Sequence, residues 1–108
     1  MLVLFDQGTP VGVKDCLHDH AVKTAWEQGW SMLLNGELLA VAETAGFEVL
    51  LTTDKNLVYQ QNMAARKIAI VILSRNRWSL IQTRLSEIAE AVSNAKAGTF
   101  TIVEIPEK

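Results

Sequence analysis

The chain has 108 residues, 49% of them apolar, which suits one domain with a real core and leaves no room for a second. Its 10 Lys and Arg against 12 Asp and Glu give a formal charge of −2, so nucleic acid meets no overall attraction and would have to be held by a local basic patch or by bound cations. The longest apolar runs, Leu2–Phe5 and Ile68–Leu73, are far shorter than the roughly 20 residues of a membrane helix. The start, Met1-Leu2-Val3-Leu4-Phe5, lacks the basic region and cleavage site of a secretory signal, and the lone Cys16 suits a reducing compartment, so a cytoplasmic protein is expected.

Leu2–Phe5 is a continuous apolar run ending at Asp6, the pattern of a parallel strand covered on both faces. Thr9-Pro10 reads as an N-cap followed by proline at the first helical position, opening a helix to about His18 with Val13 and Leu17 on its inner face. Ala21–Ala25 makes a short second strand, and Glu27–Leu34, with Gly29 and Trp30, has only weak periodicity. Asn35-Gly36 marks a helix start, Leu38, Leu39, Ala42 and Ala45 recur at helical spacing until Gly46, and Glu37 falls in the first turn. Val49-Leu50-Leu51 is a second buried-strand run, finishing in Thr52-Thr53-Asp54, after which Leu57–Arg66 reads as a short helix. Ile68–Leu73 is the strongest apolar strand and closes with Ser74-Arg75-Asn76-Arg77. Trp78, Ile81, Leu85, Ile88 and Val92 step by three and four, which predicts one amphipathic helix terminated by Gly98; Phe100–Ile105 then forms a last strand before Pro106. Strands alternating with helices mean βαβ units with right-handed crossovers. The expected fold class is therefore α/β, a three-layer α/β/α sandwich on a mainly parallel sheet.

In open parallel sheets the ligand crevice lies outside the C-terminal ends of the strands, where the strand order reverses. An order 2-1-3-4 puts that reversal between the strand ending in Asp6 and the strand ending near Asp54, with the helix start bearing Glu37 opening on the same edge. Acids gathered there repel unless a cation lies between them, and oxygen-only ligands favour Mg²⁺ or Mn²⁺ over zinc. Such an ion activates water and neutralises charge on a phosphodiester undergoing hydrolysis.

The segments Leu4-Phe5-Asp6-Gln7 and Leu51-Thr52-Thr53-Asp54-Lys55-Asn56, in this order and spacing, resemble the short PIN-like proteins of bacteria related to the toxin ribonucleases of toxin–antitoxin pairs. The resemblance runs from Met1 to about Trp78 and takes in the acidic-start helix Glu37–Ala45 and the strand Ile68–Leu73. It implies a PIN-like sheet flanked by helices, a cluster of acids coordinating Mg²⁺ or Mn²⁺, cleavage of single-stranded or structured RNA, and as partners an antitoxin-like protein and a second copy of the chain in a homodimer. Asp6 and Asp54 match the family's acids, and Glu37 takes the place of an acid that relatives often carry slightly earlier, at the position of Asn35. Asn56 stands where many relatives have a second Asp, and its amide can still offer a metal a neutral oxygen. The catalytic and metal set implied is Asp6, Glu37 and Asp54, with Asn56 as a further ligand.

Against this stand blander readings. Asp6 and Asp54 could be turn residues that hydrogen-bond their own backbone, and Glu37 a helix-dipole acid. Lys55, Arg75 and Arg77 follow strand ends on the favourable edge and could hold RNA phosphates, with Trp78 stacking on a base, or the arginines could be solvent-facing and Trp78 core. His18 and His20 flank Asp19 but belong at the opposite edge from Asp6. The runner-up function is a catalytically degenerate PIN-like interaction module using Trp26, Trp30 or the last helix as its surface, and a third is a phosphate binder of the receiver type.

Overall fold

The structure, a computed structural model, describes residues 1–57 and 62–107. Its strands β1 (Leu2–Phe5), β2 (Ala21–Thr24), β3 (Val49–Thr52), β4 (Ala69–Leu73) and β5 (Phe100–Val103) pair in parallel throughout, in the order β2-β1-β3-β4-β5. The chain is thus an α/β protein with an all-parallel sheet. Because side chains alternate across a strand, the apolar runs feed two cores. Val3, Phe5, Val49, Leu51, Val71 and Leu73 enter one, and Leu4, Leu50, Ile70 and Ile72 the other. Every one of these ten is at most 1% exposed, which is why the central strands are apolar without a break.

Helix α1 (Asn35–Thr44) covers the second core with Leu38, Leu39 and Ala42. It ends where Gly46 adopts φ of +91°, a left-handed conformation that lets the Phe47 N–H reach the Ala42 carbonyl (2.9 Å) and buries the Phe47 ring. The first core is covered by α3 (Leu85–Ser93), through Ile88 and Val92, and by Val13 and Leu17 of the segment after β1.

Two expected helices come out differently, and a third is described only in part. The segment after Pro10 is a 3-10 helix, Val11–Cys16, and Pro10 keeps extended backbone with no side-chain cap. Two β-branched residues and Gly12 in so short a piece give little α-helical drive, and the tighter turn suffices. The stripe from Trp78 to Val92 is broken into α2 (Trp78–Ile81), a 3-10 turn Gln82–Arg84 and α3. There the Thr83 hydroxyl donates to the Leu80 carbonyl (2.6 Å), drawing the turn tight. The stripe still serves one core, which is why its spacing reads as one helix. Of the expected helix Leu57–Arg66, residues 58–61 lie outside the described residues; Leu57 is buried and Met63–Ala65 makes a single 3-10 turn. No helix among the described residues is long and apolar enough to cross a membrane.

A candidate carboxylate site where the strand order reverses

β1 lies between β2 and β3, so the connection from β1 leads to one side of it and the connection after β2 leads to the other. The reversal falls between β1 and β3, and their C-terminal ends carry Asp6 and Asp54. Asp6 continues the ladder by one bond, its N–H donating to the Leu51 carbonyl (3.1 Å). The chain then turns on itself as the Thr9 N–H donates to the Asp6 carbonyl (3.2 Å).

That turn returns a hydroxyl to the Asp6 carboxyl. Thr9 Oγ1 lies 2.8 Å from Asp6 Oδ1 and 2.9 Å from the Leu51 carbonyl oxygen, so its one proton is shared between two acceptors. On the other side the fully buried Thr52 donates its hydroxyl to Asp6 Oδ2 and accepts the Asp54 N–H at 3.0 Å. Thr52 is therefore a relay joining the two acidic positions. Asp54 in turn accepts the Asn56 N–H on Oδ1 (3.0 Å), which shapes the loop after β3. Gly8 makes the crossing possible, since a Cβ there would sit 2.9 Å from the Thr53 hydroxyl.

Burial is the largest influence on Asp6 and pushes its pKa up. Hydrogen bonds from Thr52, Thr9 and the Gly8 N–H oppose it, the Asp54 charge adds to it, and the net result lies above the ordinary 3.8. An ionised carboxylate has roughly four lone-pair sites, so the three donors on Asp6 leave one for a further ligand.

Two cavities flank this carboxyl. One of about 150 Å³ is lined by Asp6, Gln7, Gly8, Trp30 and Leu38 among others, which brings the N-terminal turn of α1 to the expected edge. The other, about 230 Å³, is lined by Asp6, Gln7, Thr9, Val11, Thr24 and Trp26.

The sequence-derived site residues separate as follows. Asp6 and Asp54 are close enough for the charge of one to act on the other. Glu37 is exposed in the first turn of α1, one residue before the cavity-lining Leu38. Among the described residues no three His, Cys, Asp or Glu side chains gather closely enough to hold a metal ion. Of the sequence-derived acids, the pair shown to interact is Asp6 with Asp54, and two carboxylates are the number through which Mg²⁺ is commonly held when substrate phosphate completes its shell. Asn56 and Lys55 are exposed beside Asp54, and Arg75 and Arg77 are exposed beyond the end of β4, with Arg75 Nε 3.4 Å from the Ile105 carbonyl oxygen. Trp78 is 38% exposed and its ring lies over Gly12, where a Cβ would come within 2.7 Å of it, so it is partly spent on packing. His20 stands at the opposite edge, between the Met1 nitrogen (3.1 Å) and Ser93 Oγ (3.3 Å). Cys16 is half-buried with Sγ donating to the Val13 carbonyl.

Sequence reasoning missed the threonines that hold Asp6. Thr9 carried a signal, but one that pointed to a helix cap. Thr24 and Glu27 carried another, the T-x-x-E spacing of a capping box. Comparison with known proteins adds no assignment: no family model, no curated protein and no solved structure matches the chain.

Proposed function

We propose that the chain is a PIN-like, Mg²⁺- or Mn²⁺-dependent ribonuclease whose centre is the pair Asp6 and Asp54. The supporting observation is their position at the ends of neighbouring strands where the order reverses, joined through the Thr52 hydroxyl. When bound, the cation supplies Lewis-acid activation of water and neutralises charge on the phosphodiester. The chain's own part is positional. Thr52, Thr9 and Gly8 fix the Asp6 carboxyl so that its remaining lone pair points in one orientation, and the loop bond from Asn56 fixes Asp54. Glu37 and the Asn56 amide serve as outer oxygen donors around this pair, and Lys55, Arg75 and Arg77 meet the phosphates that enter it. An RNA substrate agrees with a cytoplasmic setting, and an antitoxin-like partner would act by covering the same edge.

Incubating the protein with single-stranded RNA and Mn²⁺ should yield cleavage that a chelator abolishes and that Asp54→Asn reduces about a hundredfold or more. RNA that stays intact with Mn²⁺ and Mg²⁺ would contradict the enzyme reading. A second reading, a non-catalytic PIN-like interaction module, draws on the absence, among the described residues, of a third acid gathered with the pair, and on the exposed Trp26, Met32 and Leu34 around the N-terminal half of the chain. Intact RNA with retained metal binding would favour it.

A further inference from the structure

Trp26 follows the edge strand β2 and is 74% exposed, a large indole left in water beside the Asp6 cavity. Its backbone is the opposite of loose. The Ala25 N–H donates to the Phe5 carbonyl (2.8 Å), the Gln28 N–H to the Thr24 carbonyl (3.2 Å), the Gly29 N–H to the Trp26 carbonyl (3.1 Å) and the Trp30 N–H to the Ala25 carbonyl (2.8 Å). Thr24 and Glu27 close the turn reciprocally: the Thr24 N–H donates to Glu27 Oε1 (2.9 Å) and the Glu27 N–H to Thr24 Oγ1 (3.0 Å). Such a capping box normally starts a helix, and here it secures a turn whose outward residue is a tryptophan. Ala25, 2% exposed, anchors the turn from below.

The groove between Trp26 and Asp6 holds about 230 Å³, below the usual 300–1,000 Å³ of a drug-sized pocket, so it suits one planar ring rather than a larger ligand. The exposed Gln7 in its lining offers an amide donor and acceptor, the pair that reads an adenine edge. Lys14 and Lys23 both act on the Glu27 carboxylate of this turn, while Asp6 is the charged side chain that lines the groove itself. Glu27 itself is occupied by the Thr24 N–H.

We infer that Trp26 is a preformed stacking platform for one unpaired nucleobase of a single-stranded RNA whose backbone crosses the Asp6–Asp54 edge, with Gln7 on the base edge. The inference rests on the ribonuclease reading and specifies its substrate as unstacked, single-stranded RNA. A turn whose backbone is already hydrogen-bonded costs little further main-chain ordering when a base settles on its exposed indole, and stacking accepts any base because each has a π-face.

The test uses the full chain with Mn²⁺ and two fluorescein-labelled octamers, a phosphorothioate oligoadenylate that resists cleavage and an abasic chain of the same linkage, with binding followed by anisotropy. Trp26→Ala should weaken oligoadenylate binding about tenfold or more and leave the abasic chain unaffected, while Trp26→Phe recovers most of the loss. Oligoadenylate binding that Trp26→Ala leaves intact, or equal wild-type affinity for both octamers, overturns the platform while leaving the ribonuclease reading standing. Failure of wild-type protein to bind either octamer overturns both.

Discussion

Asp6 carries an electrostatic cost that its hydrogen bonds only partly relieve, and this is the residue on which the site turns. Because burial raises its pKa above 3.8, the folded state prefers the protonated acid. The stability tied to that preference is fully present below the unfolded value near 3.8 and is lost as pH rises through the higher folded value. Asp6→Asn removes the titration. Melting wild type and Asp6→Asn side by side from pH 3.5 to 7 without metal should therefore show wild type losing ground to the variant as pH rises; a constant difference would mean that Asp6 is not strained. The strand-end positions of Asp6 and Asp54 were legible in the sequence because each closes an apolar run, Asp6 directly after Phe5 and Asp54 after Thr52 and Thr53. The roles of Thr9 and Thr52 were not, since a threonine hydroxyl gains its partner only when β3 lies against the turn after β1.

At the scale of elements, the end of α1 is tied to the chain entering β4. Arg66 Nη1 meets Glu43 Oε1 at 2.8 Å, the Lys67 N–H donates to Glu43 Oε2, and the two side chains are 22% and 15% exposed. Burial pushes the Glu43 carboxyl up, but the Lys67 N–H and Arg66 outweigh it and the net pKa lies below the ordinary 4.5. The sign is opposite to that of Asp6: this contribution is present above the unfolded value and is lost as pH falls through the lower folded one. Glu43→Gln should cost about 1 kcal/mol at pH 7 and progressively less toward pH 3 in urea unfolding, the size expected of a partly screened ion pair with one added backbone bond. A pH-independent cost would assign the effect to packing. This tie was not legible in the sequence, because Arg66 lies 23 positions from Glu43 and its approach depends on β3 and β4 being neighbours. A local bond accounts for the divided helix. Periodicity reports which residues face a core, and it held from Ile81 to Val92, but a hydroxyl turned back on the backbone at Thr83 divides a stripe without disturbing its spacing.

For the whole molecule, the alternation of apolar runs with amphipathic segments was enough to read an α/β fold on a parallel sheet, while the order 2-1-3-4 entered as an assumption that the observed β2-β1-β3-β4-β5 contains. The crevice edge followed from that order alone. What composition could not convey is how many acids meet there. The rim position of Glu37 depends on how far the irregular stretch before α1 carries that helix along the edge, and no residue pattern encodes such a distance. The proposed ribonuclease requires that Asp6 and Asp54 together hold a divalent cation in the folded chain. Thermal unfolding of metal-free protein with added Mn²⁺ or Mg²⁺, alongside Asp54→Asn, tests it without any substrate. A ligand specific to the fold at ten times its Kd adds about 1.4 kcal/mol, so the wild-type midpoint should rise by about 5–10 °C and that of Asp54→Asn should stay near its metal-free value. No rise at millimolar metal, or an equal rise in the variant, would contradict the claim.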